Sequence, residues 1–167
     1  MKRMTMTRRS VLALVSAPLL LAACGFQLRQ APSFAFNSIY IGTGSALGKE
    51  LRRSVAANEN VRVVDGAPDT AQVVLDVLTE QRERVVVGMN ASGQVREIQL
   101  RTRLKFKLRT PQGKELIPET ELLQQRELSF NESSVLAKEG EENLMYRDMQ
   151  TDIVQQLMRR LAAVKAI

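Results

Sequence analysis

The stretch RTRLKFKLR at residues 101–109 constrains the fold more than any other part of the chain. Its odd-numbered residues are all Arg or Lys, and the residues between them are Thr102, Leu104, Phe106 and Leu108. Because successive side chains of a β-strand point to opposite faces, this alternation predicts a half-buried strand. One face of the strand is expected to lie on a core, and the other face is expected to be basic.

A second β-rich segment at residues 72–87 precedes this strand, which itself extends over residues 95–110. The segment Gly88–Gly93 between them has the composition of a turn, so the two segments predict one long antiparallel hairpin. We centre the turn between Asn90 and Ala91. The strands are then either continuous or each divided by a β-bulge, and the sequence leaves both possibilities open.

This turn position predicts a register in which opposite charges face each other. Glu80 is expected opposite Arg101, and Asp76 opposite Lys105, on the polar face of the sheet. In the same register the half of the hairpin nearer the tip pairs mostly polar residues on its other face. That half is therefore expected to project beyond the core.

The remaining elements follow from periodicity. Leu47, Leu51 and Val55 recur every fourth residue after the potential capping residue Ser45, which predicts a helix. We also expect a short strand at residues 38–41, a last strand at 115–130 and a C-terminal helix from about Glu139. The expected fold class is α+β, with a small, mostly antiparallel sheet of about four strands. One shared core is expected to contain Leu104, Phe106, Leu108, Met149, Ile153 and Leu157.

The N-terminus has the layout of a secretory signal peptide. A basic start is followed by Val11–Ala23, an apolar run of 13 residues that is short for a membrane span of about 20. An uncleaved anchor is the alternative. The stretch Leu21–Cys24 resembles a bacterial lipobox, in which the cysteine is lipidated and becomes the first residue. Thr7–Leu12 resembles a twin-arginine signal, but ordinary export is favoured.

These features predict three segments: a cleaved signal peptide at residues 1–23, a lipidated tether at 24–37, and one domain at 38–167. The signal removes 4 of 24 Lys and Arg but none of 18 Asp and Glu, so the mature net charge is 20 − 18 = +2. Nucleic-acid binding is therefore not expected. The chain has no histidine, and its only thiol is at Cys24, so no enzyme, cofactor or metal site is predicted. A hydrolase using carboxylates alone is the alternative.

Several stretches resemble the LptE family of lipopolysaccharide-assembly lipoproteins. They are CGFQLR at 24–29, RELSFN at 126–131, VLAK at 135–138, EENLMYRDM at 141–149 and QQLMRRL at 155–161. The resemblance implies a small sheet covered on one face by two helices. It also implies a lipid-anchored outer-membrane protein that plugs and helps to assemble a large β-barrel of the LptD type and contacts lipopolysaccharide.

The resemblance also implies which residues contact lipopolysaccharide. In that family, basic residues near the hairpin tip and in the loop matching VLAK are tied to this ligand. Lys138 carries over, whereas the tip Gly88–Gly93 contains no basic residue, so Arg84 and Arg96 are its nearest counterparts. The alternative function is that of a structural lipoprotein that scaffolds another complex of the cell envelope.

Overall fold

Five strands form one mixed sheet, in the spatial order β2-β1-β3-β4-β5, in the computed structural model, which describes residues 32–130 and 135–167. The strands are β1 (Ser38–Ile41), β2 (Arg62–Val64), β3 (Val73–Met89), β4 (Val95–Arg109) and β5 (Glu115–Ser129), and the helices are α1 (Ala46–Ala56) and α2 (Val135–Ala162). Strand β1 pairs in parallel with β2 and β3, and the other pairings are antiparallel. The predicted α+β class is confirmed. The sheet has five strands where about four were expected, and it is less antiparallel than predicted because both pairings of β1 are parallel.

Helix α1 begins and packs as its sequence predicts. The Ser45 hydroxyl accepts a hydrogen bond from the backbone N–H of Gly48 at 3.1 Å, which caps the helix. Leu47, Leu51 and Val55 are all buried and face the sheet. The spacing of four residues therefore defines the buried stripe of this helix.

The hairpin turn is a three-residue loop, and this geometry makes the predicted register wrong. The backbone N–H of Asn90 bonds to the carbonyl of Gln94 at 2.9 Å, and Gly93 takes a positive φ of 79°. The Asn90 side chain accepts hydrogen bonds from the N–H groups of Ser92 and Gln94. A three-residue hairpin loop commonly ends with a residue of positive φ, which glycine adopts without strain. The turn is therefore centred on Ser92, not between Asn90 and Ala91.

The register consequently differs from the predicted one along the whole hairpin. Glu80 lies opposite Leu104, three residues further along β4 than the expected Arg101. Asp76 lies opposite Lys107, two residues further than the expected Lys105. The difference changes from three to two because the pairing shifts between Val77 and Thr79, where β3 contains a bulge. The expected bulge is thus present in β3, but it does not divide the strand, which stays one element over Val73–Met89.

The main core lies between the sheet and both helices. From the expected set it contains Leu104, Phe106, Leu108, Ile153 and Leu157, each without solvent exposure. The stripe of α1 joins the same cluster, which places both helices on one face of the sheet. Phe36 also packs here, so the packed part of the chain begins before the predicted boundary at Ser38.

A second, smaller core lies nearer the hairpin tip and contradicts the expectation that this half is uncovered. Ile98 and Leu100 of β4 are fully buried, together with Leu128, Tyr146 and Met149. Met149 therefore belongs to this cluster and not to the main core. Helix α2 begins at Val135, four residues earlier than expected, and its 28 residues extend for about 42 Å along the hairpin.

Strand β5 forms one edge of the sheet, where its proline is tolerated. Pro118 lies at the point where the pairing of β4 with β5 shifts, between the partners Ile117 and Thr120. The preceding turn repeats the geometry of the first, with Gly113 at a positive φ of 96°. Within the described ranges, neither helix combines the length and the apolar character that crossing a bilayer would require.

Candidate functional site

The bulge in β3 decides which side of the sheet its two arginines occupy. Before the bulge, Leu75 and Val77 pair with buried residues of β4 and face the helices. Because the bulge adds one residue, the even-numbered positions face the helices after it. Arg82 and Arg84 pair with the buried residues Thr102 and Leu100, and both arginines reach side chains of α2. The predicted register placed Glu80 on the outer polar face; because of the bulge, Glu80 lies opposite the buried Leu104 and faces the helices, as both arginines do.

Arg82 and Tyr146 attach helix α2 to the hairpin. The Arg82 guanidinium lies 5.3 Å above the centre of the Tyr146 ring and donates a hydrogen bond to Gln150 Oε1 at 2.9 Å. The Tyr146 hydroxyl donates to the carbonyl oxygen of Glu83 at 2.7 Å. Burial raises the pKa of Tyr146 above its ordinary value, and the nearby charge of Glu142 raises it further.

Replacing Tyr146 with phenylalanine is expected to lower the free energy of unfolding by about 0.5–1.5 kcal/mol, because one hydrogen bond is lost. The pKa of Tyr146 is higher in the folded than in the unfolded chain, so its stabilising effect is complete below about pH 10 and is lost as the pH rises through the folded value. Urea unfolding from about pH 8 to 11 should therefore find the wild type and the variant converging. A constant difference across this range would contradict the assignment.

A groove of about 360 Å³ lies between the hairpin and the start of α2. It is lined by Arg84, Phe130, Lys138, Glu139, Glu142 and Asn143. Arg84 lies 5.3 Å above the centre of the Phe130 ring, and its Nε is 3.2 Å from Glu142 Oε2. Lys138 Nζ is 2.7 Å from Glu141 Oε2. Both cations thus have a carboxylate partner in the groove or at its edge.

The structure therefore brings together two of the three residues that the sequence indicated for lipopolysaccharide. Arg84 and Lys138 line the same groove, whereas Arg96 is exposed on β4 and does not line it. The expected loop setting of Lys138 is wrong, because this residue lies in the first turn of α2. Sequence reasoning missed Phe130, Glu142 and Asn143 as lining residues. Lys138 and Glu142 are four residues apart in the sequence. This spacing was the available signal that their side chains lie on the same face of a helix.

The basic face of β4 has a different environment. Arg103 lies 2.8 Å from Glu121, and Arg109 lies 2.7 Å from Asp76. Longer contacts join Arg101 to Glu83 and Lys105 to Glu121. Most cations of this face are therefore neutralised by neighbouring strands, as is typical of a charged, solvated sheet surface.

The groove contains charged and aromatic side chains but no arrangement typical of a metal centre. Among the residues that the structure describes, no group of three or more His, Cys, Asp or Glu side chains could hold a metal ion. Arginine and lysine side chains at such a site are suited to phosphate and carboxylate ligands, because each forms charge-assisted hydrogen bonds with them.

Fold and groove together define a small α+β protein with a helix-braced hairpin and a charged groove near the hairpin tip. A family model described as "LptE: Lipopolysaccharide-assembly" matches residues 30–161, so the chain belongs to this family of lipopolysaccharide-assembly lipoproteins. It is 27% identical over 162 residues to the LPS-assembly lipoprotein LptE of Pectobacterium atrosepticum, covering 94% of this chain and 86% of the relative.

Solved structures share the same architecture. An NMR structure of an uncharacterized lipoprotein B from Nitrosomonas europaea is 32% identical, with a TM-score of 0.71 over 83% of this chain and 91% of the other. The crystal structure of the rare lipoprotein B from Shewanella oneidensis is 22% identical, with a TM-score of 0.64 over 76% of this chain and 95% of the other. The second likeness concerns the fold alone.

Proposed function

We propose that the chain is a non-catalytic subunit of the lipopolysaccharide transport machinery of the outer membrane. Membership of the LptE family gives it a role in lipopolysaccharide assembly. The chain contains no histidine and only one cysteine, Cys24, which we assign to lipid attachment. The usual general base and a free catalytic thiol are then both missing from the mature sequence, and the role is one of binding and assembly.

The proposed partner is a large outer-membrane β-barrel of the LptD type, which the chain would plug and help to assemble. Two features support a protein partner at the tip end of the hairpin. The strands of the hairpin reach about 50 Å, and α2 braces them. Several apolar side chains near the tip are exposed, among them Val86, Val87 and Met89. Exposed apolar groups close together are typical of interaction surfaces.

The proposed contact with lipopolysaccharide is the groove that contains Arg84 and Lys138. The observation that carries this proposal is that these two residues, from β3 and from α2, line one groove. Their ion pairs with Glu142 and Glu141 are at least partly exposed, and such pairs contribute only about 0–1 kcal/mol. A phosphate group of higher charge could therefore replace these carboxylates as the partner of either cation.

Reversing the charge of Lys138 is expected to weaken lipopolysaccharide binding about tenfold, because one charge-assisted contact becomes a repulsion. Arg84→Gln is expected to weaken it by a similar factor. Lys114→Glu is the matched control, since Lys114 is exposed in the turn between β4 and β5 and lines no part of this groove. The measurement is titration of the purified mature chain with lipopolysaccharide at two salt concentrations, and wild-type affinity should fall as salt rises.

The opposite result would identify another surface. If Lys138→Glu binds as tightly as the wild type while Arg103→Glu binds weakly, the ligand contacts the basic face of β4 and not the groove. Thermal melts of each variant establish that a loss of binding is not a loss of folding. Arg96→Glu tests the third residue indicated by the sequence, and a smaller effect is expected because it lies outside the groove.

A further inference from the structure

A second groove, of about 470 Å³, lies between helices α1 and α2. Its lining residues are Ala46, Lys49, Glu50 and Arg53 of α1 and Arg147, Gln150 and Thr151 of α2. Neither the family resemblance nor the sequence patterns assign a role to these residues. The groove therefore requires an explanation from its own chemistry.

Its one acidic residue is held against the opposite helix. Glu50 Oε2 accepts a hydrogen bond from Gln150 Nε2 at 2.6 Å, and Glu50 Oε1 accepts one from Thr151 Oγ1 at 2.8 Å. Gln150 is buried and in turn accepts from Arg82 of the hairpin. Both oxygens of Glu50 are thus engaged in joining α1 to α2, by neutral donors and not by cations of the groove.

The three cations of the groove form no ion pair with any residue in the ranges that the structure describes. Lys49, Arg53 and Arg147 against Glu50 give a net charge of 3 − 1 = +2. Lys49 and Arg53 are four residues apart on one helix, where like charges repel. On the basic face of β4, by contrast, Arg103 and Arg109 both have carboxylates within 3 Å. The groove is consequently a concentration of uncompensated positive charge.

We propose that this groove is a second anion site, which binds phosphate or carboxylate groups of the lipopolysaccharide headgroup. Its lining residues Arg147 and Gln150 follow Asn143 of the first groove at spacings that keep them on one side of α2. From Lys138 to Thr151 the two grooves extend about 20 Å along this helix. A headgroup with several separated anionic groups fits two sites in series, and the guanidinium of Arg53 or Arg147 matches a phosphate in two-point contact.

The inference rests on the proposed lipopolysaccharide contact, and its test uses variants that replace each cation by the neutral, polar side chain of glutamine. Lys49→Gln combined with Arg53→Gln removes two positive charges from the second groove. Lys114→Gln combined with Lys165→Gln removes the same charge from exposed positions outside both grooves. Arg147→Gln tests the α2 side of the groove independently. Each mature chain is titrated with intact lipopolysaccharide, with lipopolysaccharide stripped of phosphate, and with inorganic phosphate.

We expect the Lys49 and Arg53 double variant to bind intact lipopolysaccharide about tenfold more weakly, and the control pair to bind as the wild type does. The difference should shrink with phosphate-free lipopolysaccharide. Inorganic phosphate that binds here as tightly as the intact ligand would overturn the headgroup assignment in favour of a free-ion site. Normal lipopolysaccharide binding combined with loss of a co-purifying protein would overturn it in favour of a protein contact.

The outcomes also separate this inference from the proposed function. If Lys138→Glu weakens binding but the double variant and Arg147→Gln do not, the second site is wrong and the first groove stands. If the wild-type chain binds no lipopolysaccharide, both proposals fail.

Discussion

Replacing Phe106 with alanine is expected to lower the free energy of unfolding by about 3–5 kcal/mol. Phe106 has no solvent exposure and lies in the main core between β4 and helix α2. The loss combines the transfer free energy of the ring with the cavity that remains, because neighbouring side chains relax only in part. Net stabilities of domains are about 5–15 kcal/mol, so this single change removes a large share of the total.

The adjacent residue provides the control for this measurement. Lys107 follows Phe106 in β4 and points to the opposite, partly exposed face. Lys107→Ala should change stability by less than about 0.5 kcal/mol, as is usual for surface positions. Both variants can be compared by urea unfolding at neutral pH. Equal stabilities for Phe106→Ala and the wild type would contradict the placement of this face in the core.

Replacing Cys24 with serine is expected to release the chain almost completely from the membrane. The lipobox assignment makes Cys24 the site of several acyl chains, and each buried CH₂ group contributes about 0.8 kcal/mol to anchoring. One acyl chain anchors a protein only marginally, whereas two or more hold it stably. Cys24 lies outside the residues that the structure describes, so intact-mass analysis is the direct measurement. The wild type should lack residues 1–23 and carry lipid.

A change at the next residue tests where the lipoprotein is delivered. An aspartate directly after the lipidated cysteine resembles an inner-membrane retention signal. This chain has Gly25 at that position. Gly25→Asp should therefore leave lipidation intact but move the chain from the outer to the inner membrane on fractionation. A soluble wild-type product that begins at a residue other than Cys24 would contradict the anchor.

Periodicity was sufficient to predict the elements that pack on the core. The stripe of Leu47, Leu51 and Val55 and the alternation around Phe106 both identified the buried face correctly. These signals are local, because a helix or strand shows its buried face in the spacing of its own residues. The start of α2 was harder to predict, because Leu136 and Ala137 in its first turn are exposed and do not extend the buried stripe of the helix.

The pairing of the hairpin strands could not be obtained in the same way. Register depends on loop geometry, and the sequence around Asn90 and Gly93 permits turns centred at more than one position. The bulge after Val77 then changes the side on which each later residue of β3 points. No local pattern marks this position, so the sequence left a continuous strand and a bulged strand equally open.

The candidate site could be predicted only in part. Lys138 and Arg84 were indicated by resemblance to a family, but their common groove depends on the bulge and on the early start of α2. The second groove, around Lys49 and Arg147, was not indicated, because those residues are 98 positions apart and meet only when the two helices pack. Contacts of this kind are set by tertiary packing and have no local sequence signal.

Purification of the tagged, lipidated chain from outer membranes, followed by mass spectrometry, identifies the proteins to which the chain is bound. If the chain is a subunit of the lipopolysaccharide transport machinery, as we propose, it should be recovered with one large β-barrel protein of the LptD type in nearly equal amount. Recovery from the outer membrane with other envelope proteins, and without such a barrel, would contradict a role in lipopolysaccharide transport and indicate a general structural lipoprotein.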